Sequence, residues 1–385
     1  MRQVVTALIL VAALAVLSLA ISDSDPWWSV QTSGTDSNLR GVSVVYDTVK
    51  ERGMHYIIWA SGSDGAILRS TNDGKTWIQL HVPGGGDLDF RDIEAADAKT
   101  AYVMSSGDGG KSRIYKTTDG GENWKLQYSD KRKGFFLDSL ACDSETHCLA
   151  LSDPVDGKFL VLSTTDGEHW VELPRGQMPS ALPKEGAFAA SGTSIAICEH
   201  TNFYFGTGGA SAARVFRSQD RGLSWKAFET PIAAGNPSSG IFSIACDGSN
   251  VVAVGGDYRD PNLAKNVAAY SHDDGATWQL AEQQPGGYRS AVATFSGDFV
   301  TVGTNGTDIH QNAGKQEMRW QHTDRLNLNA VAFDGNQAWG VGPKGKIARF
   351  HCHYQYEVQK NAQPRGKPHR TSSETISPSC FPTTR

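Results

Sequence analysis

The chain has 385 residues, 39% hydrophobic and 20% charged, with a formal net charge of −5. A mildly acidic chain lacks the positive field that nucleic-acid binders project, so nucleic acid is not an expected partner. Forty-one glycines and ten tryptophans, without any long amphipathic helical pattern, exclude a helical bundle and favour a closed all-β repeat, where glycine turns alternate with aromatic packing.

Residues 1–20 begin with Arg2, run apolar from Val4 to Leu19 and end in Ser18-Leu19-Ala20. This is the layout of a signal peptide cleaved after Ala20, which predicts a secreted or extracytoplasmic protein. The apolar run is short for a membrane span and no later segment is apolar enough for one, so no stable span is expected after cleavage. Residues 21–352 read as one domain.

Within that domain a motif recurs: Ser70-Thr-Asn-Asp-Gly-Lys-Thr-Trp77, Thr117-Thr-Asp-Gly-Gly-Glu-Asn-Trp124, Ser163-Thr-Thr-Asp-Gly-Glu-His-Trp170, Ser218-Gln-Asp-Arg-Gly-Leu-Ser-Trp225 and Ser271-His-Asp-Asp-Gly-Ala-Thr-Trp278, with a worn copy ending at Trp320. A hydroxyl stands seven before each Trp, an Asp or a stand-in five before it (Asn72, Asp119, Thr165, Asp220, Asp273), and a Gly three before it. Hydroxyl and carboxylate oxygens accept backbone N–H groups across a tight turn, Gly supplies the positive φ, and Trp77, Trp124, Trp170, Trp225 and Trp278 pack on the hairpin. These acids are turn staples rather than catalysts.

The spacing of the copies fits four-stranded blades. Innermost strands are expected at Leu39–Val45, Phe90–Ala95, Phe136–Cys142, Ala187–Ser191, Ile241–Cys246, Tyr288–Thr294 and Leu328–Phe333, which makes seven blades. The last repeat stops at a third strand ending in Phe350, and Trp27-Trp28-Ser-Val-Gln reads as an orphan fourth. The prediction is a seven-bladed all-β propeller closed by its N-terminal strand. Residues 353–385, basic and poor in aliphatics, read as a disordered tail.

Cys142 and Cys148 bracket a hairpin loop and are the expected disulfide. Cys198 and Cys246, in apolar strand-like segments, read more readily as buried thiols than as a bridge, and the pairing of Cys198, Cys246, Cys352 and Cys380 is open. No Cys/His spacing suggests a metal, and no motif implies a cofactor.

A site is expected on the face opposite the repeated turns. Aligning the innermost strands by apolar pattern puts Arg40, Arg91, Leu137, Ala187, Ile241, Arg289 and Asn329 on one rung. Arg40, Arg91 and Arg289, with Asn329 and the loop residues Tyr258 and Arg259, would then form an anion-recognising patch. Asp92, Asp138, Glu185, Asp257 and Tyr288 are the candidates for any catalysis there. His200 beside Glu199 is the best-placed histidine for acid/base work, and Asn305-Gly-Thr307 is a glycosylation sequon.

Several stretches carry a family resemblance: Gly340-Val-Gly-Pro-Lys-Gly-Lys-Ile-Ala-Arg349, Asn329-Ala-Val-Ala-Phe333, Phe90-Arg-Asp92, Arg214-Val-Phe-Arg-Ser218 and Pro285-Gly-Gly-Tyr-Arg-Ser-Ala-Val292. With the repeated turns they resemble the Asp-box, or BNR, sialidase-like propellers, and in particular the photosystem II stability/assembly factor family and its secreted relatives. That resemblance implies a non-catalytic binder of a partner protein or of an anionic glycan or carboxylate ligand. The alternative is a sialidase-like glycoside hydrolase, which needs two carboxylates flanking the bond. Phe90-Arg-Asp-Ile93 departs from the sialidase Phe-Arg-Ile-Pro signature at its third position.

Overall fold

The structure is a computed structural model that describes residues 27–47, 55–295, 297–311 and 317–351. The expected signal peptide (1–20), the tail (353–385), Cys352 and Cys380 lie outside the described residues.

Short apolar runs broken by glycine turns can pair only with their chain neighbours, and the result is seven four-stranded antiparallel meanders. Blade two shows the pattern: Asp89–Ala95, Ala101–Ser106, Arg113–Thr117 and Lys125–Ser129 run outward from the axis. Its second strand is buried throughout and its fourth is half-exposed, because inner strands are covered on both faces by neighbouring blades and outer ones meet water. Apolar cores sit between successive blades; Trp59 of blade one, for example, packs with Phe90, Ile93 and Val103 of blade two. Blade seven takes its outermost strand from the other end of the chain, with Trp28 opposite Phe350 and Gln31 opposite Ile347.

The repeated turns are built as their chemistry requires. In blade two, Thr117 Oγ1 accepts the N–H of Gly121 at 2.9 Å and Asp119 Oδ1 that of Asn123 at 2.9 Å. Ser218 with Asp220, Ser271 with Asp273, and Ser70 with Asn72 make the same pair of bonds. The indole N–H groups of Trp77, Trp225 and Trp278 donate back to the turn glycine carbonyl. Trp170 instead donates to Gln127, and the buried Trp124 Nε1 has no partner. Blade three corrects the expected alignment: Thr164 and Asp166, not Ser163 and Thr165, staple that turn. It is one residue tighter, which leaves Ser163 and Thr165 outside the staple.

Blade four departs from expectation in its inner strand, which lies at Ile195–Cys198 rather than at 187–191. The segment before it leaves the sheet and crosses the axis. Ser191 Oγ donates to Ser290 O of blade six at 2.7 Å, Thr193 bonds Ser243 of blade five, and Gly192 bridges Ser139 of blade three. A Cβ at Gly192, φ 79°, would lie 2.2 Å from the Asp92 carboxyl of blade two. Only glycine fits where four blades converge on one peptide.

Cys142 and Cys148 face each other in register and are joined. Cys198 and Cys246, expected to be separate thiols, are joined as well. Each lies on the inner strand of its blade, at the same seam, so neighbours in the ring bring together residues 48 apart in the chain.

Candidate functional site

Antiparallel meanders place the loops between strands two and three, and the blade-to-blade connections, on one face. The repeated turns and the inner hairpins lie on the other. On the first face the inner strands of blades one, two, three and five each carry a β-bulge, between Leu39 and Gly41, Phe90 and Asp92, Leu137 and Ser139, and Ile241 and Ser243. The inserted residues are Arg40, Arg91, Asp138 and Phe242, and each follows a fully buried apolar residue. The expected rung is therefore corrected: Leu137 and Ile241 belong with Leu39 and Phe90 in the inter-blade core, and Ala187 lies in the irregular stretch before blade four.

Arg289 is also on the core rung. Its N–H donates to Gly255 O of the preceding blade, as those of Leu39, Ile241 and Leu328 donate to Gly342, Thr207 and Gly303. Its guanidinium is wholly buried, pairs with Asp308 through Nε and Nη2, and donates through Nη1 to Tyr288 O at 2.8 Å and Asn305 Oδ1 at 2.6 Å. Arg289 is therefore committed to a structural ion pair within blade six. Asn329 is likewise engaged at the ring closure, its amide donating to Asn38 Oδ1 and Leu39 O.

Two arginines of the expected three remain on the face. Arg91 is held by Asp89 at 2.7 Å and by Ala189 O at 2.9 Å. Among the described residues Arg40 makes no side-chain hydrogen bond, and its Nε is buried without a partner. Burial, and after it the Arg91 charge, push its guanidinium below the usual value, while Asp89 and Tyr288 act in the other direction. Beside them stands an aromatic cluster: Phe188 stacks on Phe242 at 3.9 Å, and Tyr288 and Tyr258 meet Phe242 edge-on at 4.8 and 6.2 Å. Burial raises the Tyr288 hydroxyl above its usual range. Tyr258 and Arg259, whose guanidinium lies 5.9 Å over the Tyr258 ring, are at the rim.

The proposed carboxylates do not form one constellation. Glu185 is buried against Arg214 and accepts from Thr207 at 2.6 Å, so it is committed to the scaffold. Asp257 ends the second strand of blade five, held by Asn236 and the Arg259 N–H. Asp92 accepts the N–H groups of Ile93 and Leu140 at the axis, where burial raises it and its neighbour Glu94 above the carboxylate range. Asp138 is buried with Oδ2 unpartnered; burial and then the charge of Asp153 push it well up, against Arg91, while burial pushes Asp153 up to about 6. An acid held neutral by burial stabilises a fold below the ordinary carboxylate range and loses that contribution as pH climbs through its folded value. Asp138→Asn is therefore expected to match the parent in urea denaturation at pH 4 and to be the more stable protein at pH 8. A difference independent of pH would show that Asp138 titrates like a surface acid.

The Asn305 amide donates to Pro261 O, Gly286 O and Asn262 Oδ1. A glycan on that nitrogen would displace these bonds, which weighs against use of the sequon. His200 lies on the opposite face from the arginines, on the blade-four inner hairpin, where Asp143 of blade three accepts from its Nδ1 at 2.9 Å. Asp143 and His147 belong to no recognisable motif, although the flanking cysteines mark their loop. Among the described residues no group of three or more His, Cys, Asp or Glu side chains is arranged to hold a metal ion.

No family model matches the chain. A xyloglucanase of Hypocrea jecorina (strain QM6a) is 27% identical over 205 residues, which are 53% of this chain and 21% of that protein, so the chain spans about a fifth of the relative's length. Among solved structures, YCF48 from Cyanidioschyzon merolae superposes with a TM-score of 0.58 at 16% identity, covering 84% of this chain and 99% of that one. A YCF48 bound to D1 peptide gives 0.55 at 12% identity, covering 85% and 96%. Identities this low show the propeller fold alone.

Proposed function

We propose that the chain is a non-catalytic binding propeller of the Asp-box kind, whose loop face receives a carboxylate-bearing segment of a partner protein at Arg40 and Arg91, in an oxidising compartment. The observation that carries this reading is Arg40, a guanidinium without a hydrogen bond, beside a second cation and an aromatic wall. A buried donor in that state is costly alone and is satisfied by an incoming carboxylate. A structural neighbour that binds a peptide supports the partner class, the stapled turns support the Asp-box kinship, and two disulfides support the compartment.

Arg40→Met keeps an unbranched apolar stem and removes the charge. It is expected to raise the stability of the free protein by about 1 kcal/mol and to weaken an acidic, carboxylate-ended peptide by about tenfold or more. Fluorescence anisotropy against that peptide and its C-terminal amide reads both effects of charge. Equal affinity for peptide and amide, unchanged by Arg40→Met, would place binding elsewhere.

A second reading, glycoside hydrolysis, rests on Asp138 and Asp153, two carboxyls within electrostatic reach of each other beside Arg91. Release of reducing ends from xyloglucan, abolished by Asp153→Asn, would replace the binding reading.

A further inference from the structure

On the face that carries the repeated turns, blades three and four enclose a cavity of 430 Å³ lined by Asp143, His147, Ser163, Thr165, His200 and Arg221, among others. Its polar groups come from two blades, and covalent staples hold the segments of Asp143, His147 and His200. Cys142–Cys148 closes the hairpin that carries Asp143 and His147, and Cys198–Cys246 ties the strand entering Glu199-His200 to blade five. Glu199 and His200 stand at φ 49° and 61°, left-handed values that only a tightly held turn imposes on such residues.

At the centre Asp143 accepts His147 Nδ1 on one oxygen at 2.7 Å and His200 Nδ1 on the other at 2.9 Å. Both carboxylate oxygens are thus capped by imidazoles, whose Nε2 edges are left for other partners. The remaining polar groups of the lining are cationic or hydroxylic. Among the described residues the Arg221 guanidinium, Ser163 Oγ and Thr165 Oγ1 have no hydrogen-bond partner, and the two hydroxyls are free because the blade-three staple fell to Thr164 and Asp166.

We propose that this cleft binds a tetrahedral oxyanion, the sulfate or phosphate monoester of a small sugar-sized ligand, and that it fills when its histidines are protonated. Each protonated imidazole points a charged Nε2–H outward while Asp143 steadies it from behind, and imidazole is the side chain that changes charge between pH 5 and 8. The bonds from His200 and His147 hold Asp143 below the usual carboxylate range against the opposing effect of its burial. Arg221 adds a permanent cation with fork geometry suited to an oxyanion, and it disfavours a metal ion in the same space.

The other charges nearby leave this balance intact. On the blade-four turn Asp220 is bonded to Ser224, and on the blade-three turn Asp166 is bonded to His169. Glu168 turns to Lys116 and Lys125 on blade two. Glu145 and Glu199, on the two inner hairpins, bond neither His147 nor His200.

Inorganic sulfate is the first probe, since its charge is the same throughout this pH range. Titration calorimetry of the intact protein at constant ionic strength is expected to show sulfate binding at least tenfold tighter at pH 5.5 than at pH 8. His200→Gln and Arg221→Gln should each abolish most of that affinity, with circular dichroism reporting that the variants fold, and Lys75→Gln, at an exposed cation on the blade-one turn, should leave it unchanged. Glucose 6-sulfate and glucose 6-phosphate then tell which ester is preferred. Sulfate affinity that is independent of pH, or indifferent to both cleft variants, or lost in Lys75→Gln, overturns the proposal. So does binding of the inorganic ion with neither ester, which would mark an adventitious ion only.

Discussion

Asp308→Ala is expected to lower the unfolding free energy by about 3–5 kcal/mol, the loss typical of a buried ion pair deprived of one partner. Arg289 occupies the position that Leu39, Phe90, Leu137, Ile241 and Leu328 fill in other blades, and it is as fully buried as they are. A charge can stay there only because Asp308, across the same blade, takes both Nε and Nη2, while Tyr288 O and Asn305 take Nη1. Removing the carboxylate leaves a guanidinium without its counter-ion and also strips the Gly286 N–H and His322 Nδ1 of their acceptor. Arg289→Leu together with Asp308→Ala should recover much of the loss, because leucine is what the equivalent sites of blades one, three and seven already hold and no charge is then left unpaired. Urea denaturation of the two single variants and the double gives the coupling directly. A loss below about 1 kcal/mol for Asp308→Ala would return Arg289 to the binding candidates. The expected size of the effect also means that an Arg289→Ala variant would report on folding before it reported on any ligand.

The fold was legible because its signals are local and repeated. A hydroxyl, an acid, a glycine and a tryptophan at fixed offsets define one hairpin wherever they occur, and the missing fourth strand after Phe350 had an obvious donor in Trp28–Gln31. The site was less legible because its geometry turns on single-residue shifts. A bulge inserts one residue, so a rung drawn through Arg40 and Leu137 sets the two blades one residue out of register, and a slip of one moves a side chain from seam to axis. Arg289 was misplaced for that reason; the sign that was available is that the residue before each bulge is otherwise apolar. Thr165 was misassigned because the blade-three turn is one residue shorter than its neighbours. The His147–Asp143–His200 arrangement spans 57 residues and depends on which hairpins become neighbours in the ring, information that no single repeat contains. Cys198 and Cys246 pair for the same reason.

Trp28→Ala is expected to lower stability by about 3–5 kcal/mol, the range for truncating a buried Trp, and the loss should be global rather than confined to the N-terminus. The side chain is 3% exposed and packs in the core that holds Phe350, Leu328 and Ala291 of blades six and seven. Its ring meets Phe350 edge-on at 5.0 Å, and its Nε1–H donates to Thr307 Oγ1 of blade six at 3.0 Å. The strand continues to Gln31, which accepts the Trp339 Nε1–H at 3.1 Å within blade seven and donates to Asp73 O on the blade-one turn at 3.4 Å. One short strand therefore joins the sixth, seventh and first blades where the ring closes. Without it the strand Ile347–Phe350 becomes an unpaired edge. Closure couples every blade to its neighbours, so weakening the seam should shift a single urea transition for the whole molecule. Val30→Ala, on the 62% exposed side of the same strand, should change stability by no more than about 0.5 kcal/mol. Two transitions in Trp28→Ala, with most of the signal unmoved, would instead mean that blades one to six hold together without the seam.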